Sequence, residues 1–128
     1  MKRTITLLLL FFALLSVSAK VKITRIDPTD WYVGMKDPTL QLMVYGEGIR
    51  DAEVSTDYPH ARIDSLVRLD SPNYLLVYMN LEGAQPGEMR LQFKLNGSKL
   101  TERYVLHARA KAAEDHKGFS QADVLYLL

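Results

Sequence analysis

Residues 89–109, MRLQFKLNGSKLTERYVLHAR, decide the architecture. Met89, Leu91, Phe93 and Leu95 alternate with Arg90, Gln92 and Lys94, the two-residue period of a strand with one face in a core and one in water. The run ends on Asn96-Gly97, both of which accept the positive φ that a type I′ hairpin turn demands. The returning strand is expected over Lys99 to Arg109, with Leu100, Tyr104 and Leu106 on the buried side.

The same pattern extends upstream. Leu75, Val77, Met79 and Leu81 alternate within YLLVYMNL (74–81), between the turns Ser71-Pro72-Asn73 and Gly83-Ala84-Gln85-Pro86-Gly87. Earlier strands are expected in KVKITRID (20–27), TLQLMVYG (39–46), AEVST (52–56) and ARIDSLVRL (61–69). No intervening segment carries a 3.6-residue period. About seven short strands with turn signals every 8–12 residues predict an all-β fold, an antiparallel sandwich of immunoglobulin-like type. A domain over residues 20–110 is large enough to bury roughly 60–70% of the unfolded chain's surface, so one core suffices without metal or disulfide.

The ends read differently from the middle. Lys2 and Arg3 precede an apolar run from Leu7 to Leu15 and then Val17-Ser18-Ala19. That is the charged, apolar and small-residue order of a secretory signal peptide, and the run falls short of the roughly 20 residues that span a bilayer. Residues 1–19 are therefore expected to be removed. The remaining chain should be soluble and exported, in a diderm bacterium to the periplasm, with no membrane association after cleavage.

Loss of Lys2 and Arg3 takes the 16 basic residues to 14, against 15 acidic ones. No basic run interleaved with aromatics is left to hold nucleic acid. The absence of cysteine excludes disulfides, thiolate metal ligands and a cysteine nucleophile.

Residues 111–117, KAAEDHK, read as a linker. After it comes GFSQADVLYLL (118–128), in which Asp123 to Leu128 is apolar on both faces. Such a strand suits a parallel sheet covered on each side, whereas the sandwich strands are expected to be one-sided. The tail is expected to belong to a second fold.

Catalytic signals are sparse. His60, His107 and His116 are too scattered for a metal-ligand pattern. Asp27, Asp30, Asp37 and Asp70 sit beside prolines or turns, where Asp caps its own backbone. There is no Gly-x-Ser-x-Gly elbow and no glycine-rich phosphate loop. Catalytic residues, metal and cofactor are all read as none. The distinctive stretch is DPTDWYVGMKDPTLQLMVYG (27–46), with the only tryptophan, Trp31, beside Tyr32. Neighbouring strand residues point to opposite faces, so one ring can pack inward while the other faces out, against a sugar or another domain. Packing is the favoured reading for Trp31, and both residues are candidates for glycan or interdomain contact.

IDPTDWYVGMKDPTLQLMVYGEGI (26–49) resembles the opening motif of the N-terminal immunoglobulin-like domain of Bacteroidetes-type cyclomaltodextrinases and neopullulanases, members of glycoside hydrolase family 13 in the α-amylase superfamily. The matching positions are Pro28, Trp31, Tyr32, Val33, Gly34, Met35, Leu40, Gln41, Leu42, Met43, Tyr45 and Gly46. Where such domains often carry Trp-Trp, this chain has Trp31-Tyr32. The likeness continues through PGEMRLQFKLNG (86–97).

It also reaches the tail, which looks like the family's entry into a catalytic (β/α)8 barrel, cut off after its first strand. The resemblance implies an exported enzyme that hydrolyses α-glucosidic bonds with retention. The present chain would supply its accessory sandwich, and the (β/α)8 barrel of the same polypeptide would be its partner. It carries over no catalytic residue, because the two carboxylates such a mechanism needs belong to later barrel strands. By itself the 128-residue chain should be inactive. Alternative roles are a starch- or maltooligosaccharide-binding module that contacts α-glucan directly, or a dimerisation domain of a homo-oligomer.

Overall fold

A computed structural model describes residues 21–110. The expected signal peptide, the linker and the apolar tail over 118–128 lie outside the described residues. Eight strands follow in order: β1 (Ile23–Asp27), β2 (Asp30–Tyr32), β3 (Thr39–Gly46), β4 (Glu53–Ser55), β5 (Arg62–Arg68), β6 (Tyr74–Asn80), β7 (Gly87–Leu95) and β8 (Ser98–His107). The one helical element among the described residues is a 3-10 turn, Ile49–Asp51.

Two four-stranded sheets form, in the orders β1-β3-β6-β5 and β2-β8-β7-β4. With β2 set aside, the remaining strands in chain order take the letters A to G. The sheets are then A-B-E-D and C-F-G, the constant-type immunoglobulin arrangement. The fold is an all-β sandwich, as the alternating patterns require.

The hairpin that opened the sequence reading is present in full register, from Gly87 opposite Leu106 to Leu95 opposite Ser98. Its turn places Asn96 at φ 49° and Gly97 at φ 79°, the double positive φ of a type I′ turn. Met89, Leu91 and Phe93 on β7 and Tyr104 and Leu106 on β8 point inward and are buried. Facing them are Leu40, Leu42 and Val44 on β3 and Leu75, Val77 and Met79 on β6. Each of these side chains contributes on the order of 1.5–3 kcal/mol by leaving water, and together they form one continuous core.

Three features depart from expectation. The strand count is eight because residues 30–32, an edge segment not counted among the seven expected strands, form β2 and pair with β8 in parallel, Asp30 to Val105 through Tyr32 to His107. The chain crosses between sheets at Pro28-Thr29, after a cis Asp27-Pro28 peptide. A three-residue segment is too short to show a period, so only its partner strand reveals it.

Second, the register of β5 against β6 shifts between Ile63 and Ser65. That bulge turns both Ile63 and Leu66 toward the core although they are three residues apart.

Third, β6 is not one-sided. Besides its buried set, Tyr74, Leu76 and Tyr78 lie on the outer face and are half-buried. Two-sided apolarity thus does not by itself mark a strand as foreign to a sandwich.

Candidate functional site

The segment from Trp31 to Pro38 leaves β2 and returns to β3 around one end of the sandwich. Val33 N–H donates to the His107 carbonyl at 3.0 Å, continuing the β2 ladder by one residue. Gly34 then turns the chain with φ 72°. At the other limb, Leu81 N–H donates to the Pro38 carbonyl at 2.9 Å, tying the segment to the turn after β6. Between the limbs lies a cleft of about 390 Å³, lined by residues 31–38 and by Leu81, Glu82 and Gly83. Its size is at the lower end of the roughly 300–1,000 Å³ usual for ligand sites.

Within this segment Trp31 and Tyr32 diverge as neighbours on a strand must. Trp31 lies opposite Leu106, is half-buried and packs against the core. Tyr32 lies opposite His107 and remains 47% exposed. Its ring centroid is 5.5 Å from that of His107, with the planes tilted by 43°. His107 Nε2 is 3.5 Å from Asp30 Oδ1. Met35, which lines the same cleft, and Val105, opposite Asp30 on β8, are exposed apolar side chains as well.

The acids behave mostly as turn formers. Thr39 N–H donates to Asp37 Oδ1 at 2.9 Å, and bonds from Thr39 hold the Asp37 carboxyl below its ordinary pKa. A general acid needs the opposite shift, so Asp37 is suited to fixing the cleft wall. Asp27 pairs with Arg25, while Asp70 contributes its backbone carbonyl, which accepts from Arg50 at 3.4 Å. His60 packs against Gly83, far along the sequence from His107.

One set of residues escaped the sequence reading. Met43 and Tyr45 on β3, with Tyr74, Leu76 and Tyr78 on β6, form an apolar and aromatic outer face on the first sheet. The signal is present in YLLVYMN, where both alternating sets are apolar or aromatic.

Over residues 25–110 the sequence matches the model of a domain family described as cyclomaltodextrinase, N-terminal. The match takes in every strand from β2 to β8 and β1 from Arg25 onward, as well as the cleft. It coincides with the folded unit and covers well over half of the 128 residues. Because that match spans the described sandwich and more than half of the sequence, this chain belongs to the cyclomaltodextrinase N-terminal domain family.

Proposed function

We propose that the sandwich is the accessory domain of an exported α-glucan hydrolase, and that it packs against and orients the catalytic domain of the same polypeptide through the end carrying Tyr32, Met35 and Val105. The carrying observation is the position of these exposed apolar side chains. Tyr32 lies opposite His107, the last residue of β8, Val105 lies two residues earlier on that strand, and Met35 lines the same cleft as Tyr32. Ala110 is three residues further on, so it lies within about 15 Å of Tyr32. Exposed apolar groups rimmed by polar residues suit a domain interface of this kind. Hydrolysis itself would come from carboxylates outside this chain. Export rests on the N-terminal signal pattern.

The test uses the longer polypeptide that contains the catalytic domain. Replacing Tyr32, Met35 and Val105 together by Ser should lower the rate of maltoheptaose hydrolysis and uncouple the melting of the two domains. The 128-residue chain bearing the same changes should melt as before. A longer polypeptide with unchanged activity and a single unshifted melting transition would refute this interface.

A further inference from the structure

The sequence holds three asparagines, and the structure sets one of them apart. Asn73 precedes Tyr74, and its Oδ1 accepts from Gly48 N–H at 3.1 Å. Asn80 precedes Leu81, and its Oδ1 accepts from Glu82 N–H at 2.8 Å. Asn96 is exposed and precedes Gly97, and its side-chain amide has no hydrogen-bond partner among the described residues. The space beside Gly97 is open, with no atom within 4 Å of where a Cβ would sit.

These are the conditions under which a main chain cyclises onto an asparagine side chain. The Gly97 nitrogen, once it has lost its proton, attacks Asn96 Cγ; the side-chain nitrogen leaves as ammonia and a five-membered imide remains. Glycine favours the attack because no side chain crowds its nitrogen. Water then opens the ring. Cleavage of the bond to Cγ leaves an aspartyl residue, and cleavage of the bond to the main-chain carbonyl leaves an isoaspartyl one. Either way one water enters and one ammonia departs, with no oxidant, metal or enzyme.

The closed turn restrains this chemistry. Asn96 has φ 49° in a type I′ turn, where its ψ is about +30° and the next nitrogen is turned away from the side chain. Ring closure therefore waits on opening of the hairpin tip, a local event that costs far less than global unfolding.

Strand register gives the reaction a consequence. Lys94 stands directly opposite Lys99, one row below Leu95 and Ser98, and like charges in that relation repel. Glu53 Oε2 lies 3.7 Å from Lys94 Nζ, and no ion pair reaches Lys99 among the described residues. An aspartyl carboxylate at position 96, two residues from Lys94 and three from Lys99, offsets that repulsion, and Asp-Gly suits the same turn as Asn-Gly. The isoaspartyl product instead adds a methylene to the main chain of a two-residue turn, so the Leu95–Ser98 row no longer closes in its present register.

We propose that Asn96-Gly97 is a self-modifying site, at which deamidation gated by opening of the β7–β8 tip converts the protein into one form with a tightened hairpin and one with a frayed hairpin. The tip lies at the other end of the ten-residue β8 from His107, about 30 Å away. Docking through Tyr32 would leave it accessible, and the site stands whether or not that docking occurs.

The test incubates the full chain over weeks in mildly acidic and mildly alkaline buffer, beside a free peptide of residues 94–99, and weighs the proteolytic fragments. The amide-to-acid mass gain should appear at position 96 alone, faster in alkaline buffer, with Asn73 and Asn80 unchanged. It should run roughly tenfold slower in the folded chain than in the peptide, as a small opening equilibrium requires. Unfolding in urea should remove that difference. The isoaspartyl form, recognised by isoaspartyl methyltransferase, should show faster amide exchange at Leu95 and Ser98. Asn96→Asp should melt above wild type at low salt and level with it at high salt, where the charges are screened.

No gain at position 96 while the peptide converts fully would overturn the site, as would equal gains at Asn73 or Asn80. A folded chain that reacts as fast as the peptide would refute the gating. An Asn96→Asp chain that melts no higher at low salt would refute the tightened form.

Discussion

Trp31 stands opposite Leu106 in the parallel pairing of β2 with β8, which carries the N-terminal segment from one sheet to the other. The indole lies against the core from the edge of its sheet, while the next side chain, Tyr32, faces out. Trp31→Ala should therefore cost about 2 kcal/mol, less than a fully buried tryptophan because the ring is only half-covered. Tyr32→Ala should cost no more than about 0.5 kcal/mol. Urea denaturation of both variants measures the difference, and equal losses would contradict the assigned orientations.

The hydroxyl of Tyr104 is buried without a hydrogen-bond partner among the described residues. Burial, and secondarily the negative charge of Asp30, push its ionisation well above the ordinary phenol value. Because the folded pKa is raised, the associated stability is complete below the unfolded pKa of about 10 and is lost as pH climbs beyond it. Wild-type stability should then fall by up to about 1.4 kcal/mol per pH unit from this residue. Tyr104→Phe removes an unsatisfied group at constant shape. It should stabilise by about 1 kcal/mol at neutral pH and flatten the alkaline decline. Melting at pH 8 and at pH 11 checks both effects.

Gly46 ends β3 where the chain passes under β1. A Cβ there would collide with the Lys22 carbonyl oxygen, a backbone atom that cannot rotate away. Gly46→Ala should part the β1–β3 pair and cost about 1–3 kcal/mol. Gly97→Ala meets no neighbour, so its loss of about 1 kcal/mol should come from backbone strain alone. Hydrogen exchange separates the two: faster exchange should appear at Arg25 and Tyr45 in the first variant and near the hairpin turn in the second.

Tyr58 donates its hydroxyl to the Gln85 carbonyl at 3.0 Å and so staples the loop after β4 to the turn before β7. Its hydroxyl occupies the space that a side chain at Gly87 would need. Tyr58→Phe should cost about 1 kcal/mol. Gly87→Ala should expel the phenol and cost at least as much, and the double variant should cost less than the sum, because both changes act on one contact. A thermal-melting cycle of the four proteins reads the coupling.

The hairpin from Met89 to His107 could be read from sequence because alternation and Asn-Gly are local properties, satisfied within one stretch of chain. The inward sets on β3 and β6 were legible for the same reason. The position of Trp31 at an edge, with one aromatic in and one out, was also within reach of strand geometry. The parallel β2–β8 pair was not, since β2 has three residues and its partner is more than 70 positions away. Nor was the Tyr45–Tyr74 pair, which exists only once the register of β3 and β6 is set.

Periodicity alone thus determined that this chain would form a sandwich of one-core strands, which side chains that core would take, and where the tightest turn would fall. These outcomes depend on where water is excluded, and alternation along a strand encodes that directly. Tertiary structure decided what the outer surfaces became. Which polar and aromatic residues share a row, which edge accepts a parallel strand, and which face is left with a tyrosine groove depend on register and strand order. Those are settled by contacts between segments that are distant along the chain.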